Sequence, residues 1–447
     1  MALAAPQRRR IAVVGGGWAG IAAAVQARSR GHAVELFEMA PQLGGRARSF
    51  EVDGIEIDNG QHIAIGAYAK TLALLRQVGV DPAQAFMRTP LRLVDANGVG
   101  LRLRPGPPAL AFGAAVLAHR GWSLREKLGL LFATSRWGLR GFRCDPRLTV
   151  DALCARISTQ VRDELIAPLC VAALNTASHE ASAVVFLRVL REALFGGRGA
   201  SDLLLPRIPL SRVLADPALA WLRGAGATIH PGHRVQRIEP HADGWRVDEA
   251  DADAVVLAAS STEAVRLTQA IAADWSRAAG ALKHEPIVTV YTRAEHARLP
   301  GPMLSLPAGP GPAPAQFVFD RGQLGGPAGL FAFVISGARE WVARGNAELW
   351  QAIQAQAARS MGEAGRARLE LVKIVTEQRA TFRCVPGLVR PPQAIAPGLV
   401  AAADFVAGPY PATLEGAVRS GVDAIRALEV SAPPRRSAGA ASRRIQA

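Results

Sequence analysis

The chain of 447 residues is long enough for two or three subdomains, each with its own hydrophobic core. A hydrophobic fraction of 49% and a charged fraction of 20% exclude an intrinsically disordered protein. The net charge of +15 fits nucleic-acid binding, an anionic membrane surface or a merely arginine-rich composition. Aromatic residues are scarce at 6% and no nucleic-acid motif is present, so we expect no nucleic-acid partner and leave the other two explanations open.

The four cysteines, Cys144, Cys154, Cys170 and Cys384, form no C-x-x-C pair and lack metal-type spacing with histidine. We therefore expect reduced, mostly buried thiols and no metal site. No apolar signal core precedes the first predicted strand, and no run of about 18 apolar residues could cross a bilayer. We expect a cytoplasmic protein that is soluble or lies peripherally at the inner face of the cytoplasmic membrane.

The first predicted elements are a buried strand at residues 11–14 and an alanine-rich helix, joined by glycines with G-x-G-x-x-G spacing. In this fingerprint the first glycine permits a tight turn. The second lets backbone approach a pyrophosphate, and the third lets helix and strand pack closely. The free N–H groups of the helix N-terminus then bind the pyrophosphate. The residues expected at this site are Gly15, Gly17, Trp18, Ala19 and Gly20.

A second apolar strand at residues 33–37 ends in Glu38, which lies 38 − 15 = 23 residues after Gly15. An acid at this spacing accepts hydrogen bonds from an adenosine ribose. A glutamate here, in place of an arginine, argues against a 2′-phosphate. The sequence therefore predicts an adenine dinucleotide.

More glycines follow Glu38, and they favour a flavin over a nicotinamide cofactor. Gly44, Gly45 and Gly60 would let backbone pass close to the bulkier flavin, which is held along its length. Here the sequence resembles the FAD-dependent amine oxidase and phytoene desaturase superfamily, with its GxGxxG…E…GGR arrangement. The resemblance implies non-covalent FAD, bound by Gly44, Gly45 and Arg46 and faced by Asn59, Gly60, Gln61 and His62.

Residues 68–78 have helical spacing, residues 91–103 predict a hairpin around Asn97-Gly98, and residues 107–195 are mostly helical, with one helix at 159–174. Ser123 and Glu126 form a capping-box sequence that opens another helix. That helix either docks on a bilayer or packs its apolar side into the core and leaves a solvated basic face. The second interpretation is slightly favoured. The apolar side holds Leu124, Leu128, Leu131 and Phe132, and the basic residues are Arg125, Lys127, Arg136, Arg140 and Arg143.

Residues 222–258 return to α/β character, with strands predicted at 228–230, 233–238, 245–247 and 253–260. The resemblance implies that the backbone of Val235 meets the adenine and that Ala259 lies close to the nucleotide. A second excursion follows, with strands at 288–291, 316–319, 330–335 and 369–375, a proline-rich loop at 299–314 and a helix at 341–361.

The C-terminal module has an apolar strand ending in Asp404 and a turn that enters a helix near Thr413. Asp404 can accept hydrogen bonds from a ribityl or phosphate-linked hydroxyl. The helix N-terminus at Thr413, Leu414 and Glu415 can present N–H groups to the N1/O2 edge of a flavin. This module resembles the terminal FAD motif of the same superfamily.

We therefore predict an α/β fold, with a discontinuous Rossmann-type, glutathione-reductase-like FAD-binding domain and an inserted helical and mixed-sheet substrate domain. The FAD-binding domain is expected at residues 1–90, 222–285 and 382–430, and the substrate domain at 91–221 and 286–381. Residues 431–447 are expected to form a basic, disordered tail.

Residues 58–68, 168–176 and 410–421 resemble the squalene-associated FAD-dependent desaturases, the hydroxysqualene dehydroxylases of bacterial hopanoid and squalene synthesis. The resemblance covers nearly the whole chain. It implies reductive removal of the hydroxyl of hydroxysqualene to give squalene: an acid helps water to leave, and hydride from flavin N5 reaches the carbocation. Two alternatives stay open: an oxidative carotenoid-type (phytoene) desaturase or amine oxidase, and a non-catalytic prenyl-lipid binder.

The catalytic acid is not fixed by the sequence: His62 is one candidate and the phenol Tyr410 is another. Gln61 is a further candidate catalytic residue. Because there is no second GxGxxG, NADPH would have to bind transiently or a reductase would have to supply the electrons. The expected partners are an isoprenoid lipid substrate, upstream squalene-synthase-like enzymes and a peripheral membrane contact.

Overall fold

A computed structural model describes residues 8–307 and 312–430, so the tail predicted at 431–447 lies outside the described residues. The strands in these ranges are β1 Arg10–Val14, β2 Ala33–Glu38, β3 Ser49–Val52, β4 Ile55–Asp58, β5 Ala64–Ile65, β6 Phe86–Thr89, β7 Arg92–Val94, β8 Gly100–Arg102, β9 Leu203–Pro206, β10 Thr228–Pro231, β11 Ile238–His241, β12 Gly244–Val247, β13 Ala250–Ala252, β14 Ala254–Leu257, β15 His284–Arg293, β16 Met303–Ser305, β17 Phe317–Asp320, β18 Leu330–Ile335, β19 Glu370–Phe382, β20 Ala394–Ala396 and β21 Leu399–Ala401.

Helices connect these strands, and most of them lie in the first half of the chain. They are α1 Trp18–Ser29, α2 Ala69–Gln77, α3 Pro82–Ala85, α4 Pro108–Ala118, α5 Leu124–Leu139, α6 Val150–Leu153, α7 Thr159–Val161, α8 Ala167–Leu174, α9 Ala183–Phe195, α10 Asp216–Gly224, α11 Ser261–Thr268, α12 Ala273–Gly280, α13 Arg339–Arg344, α14 Asn346–Ser360 and α15 Leu414–Val430. Two π-helical turns, Arg162–Ile166 and Ser211–Ala215, and two 3₁₀ turns, Arg321–Leu324 and Gly362–Arg366, supplement them.

The larger sheet has the order β10-β2-β1-β14-β21-β20 and is parallel except at β20. Strands β1 and β14 are almost continuous runs of buried apolar residues, as strands covered on both faces must be. Helices α1 and α15 contact each other on one face, and β11–β13 with α11 and α12 cover the other. The predicted α/β class, with a Rossmann-type parallel sheet, is confirmed.

A second sheet of order β16-β17-β18-β15-β19 is antiparallel. One face packs on α14, while the other faces the helical insertion through residues such as Tyr291 and Phe319. A small antiparallel sheet, β5-β9-β6, holds the insertion against the rest of the molecule, and its apolar strand at 203–206 was not predicted. The space between the two large sheets is where a ligand can bind.

Several predicted elements are confirmed in detail. The hairpin of β7 and β8 turns at residues 95–98. The Ser123 hydroxyl accepts a hydrogen bond from the Glu126 N–H, and the Glu126 carboxylate accepts one from the Ser123 N–H, which is the predicted capping box. The helix expected at 159–174 is built from α7, a π-helical turn and α8, and it ends at Asn175 in the left-handed conformation.

Three predictions were wrong. Residues 233–237 are not a strand, because the Gln236 and Arg237 N–H groups bond to the side chain of Asp248 and not to another strand. The single helix expected at 341–361 is two helices, broken at Gly345 with φ 89°. Most of the predicted apolar side of α5 does not pack into the core: Leu124, Leu128 and Phe132 are exposed, and only Leu131 is partly buried against it.

The buried side of α5 is instead formed by Leu130, Thr134 and Trp137. These side chains lie on the face opposite the predicted one. The helix is therefore apolar on two sides, which the sequence pattern could not separate into a buried and an exposed face.

Candidate functional site

A cavity of about 810 Å³ runs between the parallel and the antiparallel sheet. It brings together segments that lie far apart in the chain, since its wall includes both the first glycine turn and the N-terminus of α15. Of the predicted site residues, those lining it are Gly15, Gly17, Trp18, Ala19, Glu38, Gly44, Gly45, Arg46, Asn59, Gly60, Gln61, His62, Val235, Ala259, Asp404, Tyr410, Thr413 and Leu414.

Two predicted residues, Gly20 and Glu415, do not line the cavity. Gly20 lies beneath the turn, where a Cβ atom would overlap the carbonyl oxygen of Gly15. The Glu415 carboxylate is fully buried and accepts hydrogen bonds from the Thr71 N–H and hydroxyl at the start of α2. Both residues thus hold the cavity wall in place from behind.

The N-terminus of α1 opens onto the cavity at the first glycine turn. The Gly15 N–H donates to the Phe37 carbonyl, and a Cβ atom at Gly15 would overlap the Ala258 carbonyl oxygen. The N-cap residue Gly17 provides no side-chain cap, so the first-turn N–H groups are available to a ligand. A Cβ atom at Gly17 would meet only Gly45 Cα, at 3.9 Å. An anion can therefore approach this backbone closely.

Glu38 is held rigidly beside that turn and is only 7% exposed. Its Oε2 accepts a hydrogen bond from the Gly16 N–H at 2.6 Å, and its Oε1 accepts one from the Ala40 N–H at 2.8 Å. Each carboxylate oxygen can accept a second bond, so acceptor capacity remains for a diol in the cavity. Phe37 and His230 stack at 4.8 Å nearby, next to the segment that carries Val235.

Arg46 and Asp404 join the two ends of the chain by a salt bridge of 2.7 Å. The Asp404 carboxylate raises the pKa of Arg46, which is therefore cationic at every physiological pH. Arg46 also donates to the Ala380 carbonyl at 2.5 Å at the end of β19. Arg46 and Asp404 are far apart in the sequence. Only the resemblance to the superfamily motifs predicted that both belong to one site.

The loop at residues 59–62 is fixed to the antiparallel sheet from below. The Tyr291 hydroxyl donates to the Asp58 carbonyl at 3.0 Å, and the Gln61 N–H donates to the Thr289 hydroxyl at 3.4 Å. Buried Arg321 donates to Gln61 Oε1 at 3.3 Å and lies 3.8 Å from the Asp58 carboxylate. Sequence reasoning missed Thr289, Tyr291 and Arg321, because no spacing connects them to residue 58.

His62 lies in the cavity wall with its Nδ1 at 2.8 Å from the Gly60 carbonyl oxygen. Since a carbonyl only accepts, Nδ1 carries a proton and Nε2 is an acceptor in the neutral ring. Burial lowers the pKa of His62, which favours this neutral form at pH 7. His62 is therefore a poor proton donor.

Tyr410 and Tyr68 both line the cavity and meet edge to face, with ring centres 6.4 Å apart. The Tyr410 hydroxyl donates to Glu192 Oε2 at 3.1 Å, and burial, followed by the Glu192 charge, raises the pKa of Tyr410. Hydrogen bonding from Arg191 lowers the pKa of Glu192, so this carboxylate is ionised at neutral pH. Sequence reasoning found neither Glu192 nor Tyr68.

Most of the remaining wall of the cavity is apolar and comes from the insertion and the second sheet, although Asn175, Arg188 and Ser201 of the insertion also line it. Cys170 and Cys384 do not line the cavity, and burial raises the pKa of both thiols, so neither is a nucleophile for a bound ligand. Within 8–307 and 312–430 no cluster of metal-ligating side chains occurs. The apolar wall includes Leu91, Leu93, Leu169, Val189, Leu190, Met303 and Phe317.

Comparison with known proteins matches residues 18–428 to the family described as flavin containing amine oxidoreductase. A hydroxysqualene dehydroxylase of Rhodopseudomonas palustris is 30% identical, over 92% of this chain and 96% of that protein. A zeta-carotene desaturase of Zea mays is 37% identical over only 73 residues, 16% of this chain and 13% of that protein. An oxidoreductase structure from Methanosarcina mazei superimposes with a TM-score of 0.69 at 19% identity, covering 94% of this chain and 100% of that one.

Proposed function

Because the chain belongs to the flavin-containing amine oxidoreductase family and is an FAD-dependent oxidoreductase of the hydroxysqualene dehydroxylase type, we propose that it converts hydroxysqualene reductively to squalene. The observation that carries this proposal is the two-part cavity. One part is lined by backbone and charged groups suited to a dinucleotide, and the other is lined by apolar side chains suited to a hydrocarbon chain.

The residues of the polar part fit FAD. The uncapped N-terminus of α1 suits a pyrophosphate, Glu38 suits a ribose diol, and the N-terminus of α15 beside Asp404 suits a flavin edge. We propose that residues 1–90, 222–285 and 382–430 hold this cofactor, while 91–221 and 286–381 hold the lipid. Bound FAD in its reduced form would supply the hydride, with NADPH or a separate reductase as the source of electrons.

The substrate must exchange a hydroxyl group for hydrogen, so the reaction consumes one hydride and one proton and releases water. We propose that the Tyr410 hydroxyl turns from Glu192 to the substrate, supplies its proton to the leaving oxygen, and regains one from solvent as the phenolate. Burial and Glu192 raise the pKa of this phenol, so the proton transfer depends on the same ionised carboxylate stabilising the positive carbon that water leaves behind. The ring of Tyr68 adds its π face to that stabilisation, whereas the Tyr410 ring is already covered by the guanidinium of Arg419, 4.7 Å from its centre.

His62 and Gln61 have positioning roles in this proposal. His62 is neutral, and only its Nε2 lone pair is open to a ligand. The Gln61 amide is committed at both ends, since Nε2 donates to the His62 carbonyl and Oε1 accepts from Arg321. Together they fix the loop at 59–62 against the cavity. The apolar wall around Leu169 and Phe317 excludes bulk water from the carbocation.

A carotenoid-type desaturase, which would run the hydride transfer in the oxidative direction, is the second candidate. The similarity to the Zea mays desaturase favours it, but that similarity covers only 16% of the chain. An amine oxidase is the other oxidative candidate: the mostly apolar second part of the cavity argues against an amine substrate, whereas the ionised Glu192 in its wall favours one. We further propose a location at the inner face of the cytoplasmic membrane, next to the squalene-synthase-like enzymes that form the substrate.

Co-expression with an enzyme that makes hydroxysqualene, followed by lipid extraction, tests the proposal. We expect squalene to accumulate and hydroxysqualene to disappear, whereas the Tyr410→Phe variant should leave most of the hydroxysqualene. If phytoene or an amine is oxidised instead and no squalene forms, the proposed reaction is wrong. Purified protein without FAD would favour the non-catalytic prenyl-lipid binder.

A further inference from the structure

The helices α4 and α5 present a large apolar surface to solvent. The residues on it are Leu110, Leu117, Leu124, Leu128, Phe132 and Leu139, each between 52% and 91% exposed. They all fall within a stretch of 30 residues, and α4 contacts α5. Exposed apolar patches of this kind mark interaction sites, because isolated monomers rarely tolerate them.

The exposed residues of α5 form one stripe. At about 100° per residue, Leu124, Leu128, Phe132 and Leu139 fall within about 80° of one another around the helix axis. The opposite side of α5 is already buried in the core through Leu130 and other residues. The stripe is therefore additional to the core-facing side and is not needed for folding.

Basic residues border this stripe on both sides. Arg125, Arg136 and Arg140 lie exposed along one edge, and half-buried Lys127 lies on the other, where its Nζ also donates to the Leu117 carbonyl. Helix α4 at 108–118 contains no charged residue. Residues 100–143 hold eight Arg or Lys and one acid, a balance of 8 − 1 = +7 out of +15 for the whole chain.

Two acids lie close to this surface, Glu126 within residues 100–143 and Glu164 beyond them, and both are hydrogen-bonded. Glu126 caps α5 through its bonds to Ser123, and Glu164 accepts a hydrogen bond from the Trp122 indole at 2.7 Å. Hydrogen bonding lowers the pKa of Glu126, so this acid keeps its charge; it is already included in the balance of +7, and the rim of the stripe is cationic even with it present. The surface combines an apolar centre with a cationic rim, which complements the acyl chains and anionic headgroups of a bilayer.

We propose that the α4–α5 surface docks the protein on an anionic lipid bilayer. A second copy of the chain fits less well, because a two-fold dimer on this face would oppose two identical cationic rims. The stripe would enter the bilayer interface, and the arginines along its edge would contact phosphate groups.

The buried side of the same helices leads toward the cavity. Phe112, Leu130 and Trp137 line a narrow apolar cleft together with Leu91, Leu93, Leu169 and Leu190. The last four also line the large cavity. The docked helices would thus lie over the apolar side of the cavity, which would bring a lipid substrate close to its site; that consequence rests on the proposed function, whereas docking itself does not.

Vesicle flotation of the full-length FAD-loaded protein tests the docking. We expect binding to phosphatidylcholine vesicles in which about a third of the lipid is phosphatidylglycerol, and much weaker binding to phosphatidylcholine alone. The triple variant Leu128→Ser, Phe132→Ser, Leu139→Ser should lower the partition coefficient at least about a hundredfold. The matched control, Leu371→Ser with Val389→Ser, changes exposed hydrophobic residues elsewhere and should bind like the wild type.

A charge variant separates the electrostatic contribution to vesicle binding from the hydrophobic contribution of the stripe. Arg125→Gln, Arg136→Gln, Arg140→Gln should lose about a hundredfold on anionic vesicles and little on neutral ones. FAD content reports whether each variant is folded. The proposal is overturned if the wild type does not float, or if the serine variant floats equally well. It is also overturned if sedimentation shows a wild-type dimer that the serine variant dissolves, which would make this face a contact between copies.

A turnover assay keeps the docking distinct from the proposed reaction. Hydroxysqualene is presented either in anionic vesicles or dispersed in detergent micelles. The serine variant should lose activity on vesicles and keep it in micelles. Loss of both would place the stripe in the catalytic structure and contradict a docking role, whereas an inactive wild type that still floats would refute only the reaction.

Discussion

The nucleotide half of the cavity and its apolar half are built in different ways. The first is held by backbone atoms and fixed charges, such as the N-terminus of α1 and the pair of Arg46 with Asp404. The second is a wall of interchangeable hydrocarbon side chains around Leu91 and Leu169. Cofactor binding therefore tolerates little change at single atoms of its site. Lipid binding depends instead on the volume of the cavity and on its connection to the protein surface.

The sharpest way to test this contrast is to add one methyl group behind the glycine turn. Gly20→Ala would force a Cβ atom into the Gly15 carbonyl, so α1 must shift away from β1. We expect a loss of about 3 kcal/mol or more in the free energy of unfolding, together with loss of bound FAD. Denaturant unfolding and the flavin absorbance of purified protein measure both.

The matched control is Gly224→Ala at the end of α10, where a Cβ atom has nothing within 4 Å. It should leave stability and FAD content close to those of the wild type. Equal behaviour of the two variants would show that close packing at Gly20 is not a requirement of this turn.

The second prediction separates chemistry from cofactor binding. Tyr410→Phe removes the hydroxyl that bonds to Glu192 and should lower the turnover rate about a hundredfold, with FAD content unchanged. Steady-state kinetics with detergent-dispersed hydroxysqualene measures this. A turnover rate within a factor of two or so of the wild type would remove Tyr410 as the proton source.

A third variant should have the opposite pattern, weaker FAD binding with little change in turnover, because it alters the nucleotide side of the cavity. Glu38→Gln keeps one oxygen acceptor and removes the charge that holds the Gly16 and Ala40 N–H groups. We expect FAD to bind about tenfold more weakly, while the turnover rate at saturating FAD stays near that of the wild type. Fluorescence titration of the apoprotein gives the affinity; an unchanged value would refute the ribose assignment.

The smallest effect concerns pH. Burial lowers the pKa of His62, so below its ordinary value of 6.5 the unfolded chain binds the proton more readily than the folded one. The contribution of His62 to stability is thus present above pH 6.5 and is lost as the pH falls toward the folded-state pKa. His62→Gln should reduce the slope of unfolding free energy against pH in this window, by at most about 1.4 kcal/mol per pH unit.

A histidine on the other side of the molecule provides the comparison. His119 stacks on Trp122 at 3.8 Å between α4 and α5, and burial lowers its pKa as well. His119→Gln should change the same pH slope and leave FAD affinity untouched at every pH. If His62→Gln also leaves FAD affinity unchanged, the loop at 59–62 does not face the cofactor.

The contrast also explains what the sequence could predict. The turn at Gly15 and the acid at residue 38 carry strict backbone and spacing requirements, so the amino-acid sequence alone identifies them. Tyr291 and Arg321, which fix residue 58 and the loop after it, come from distant strands and turns with no fixed spacing. The prediction for α5 was wrong because helical periodicity identifies an apolar side of a helix but does not show whether protein or solvent contacts that side.

A single-turnover experiment tests the central claim, that one cavity holds FAD at its polar end and a hydroxylated isoprenoid at its apolar end. The FAD-loaded protein is reduced without oxygen and mixed with hydroxysqualene, and flavin reoxidation and squalene are followed together. We predict one squalene formed for each flavin reoxidised, and a strongly slowed reaction in Tyr410→Phe. Flavin that stays reduced while hydroxysqualene is bound, or that is reoxidised without squalene, would contradict the account.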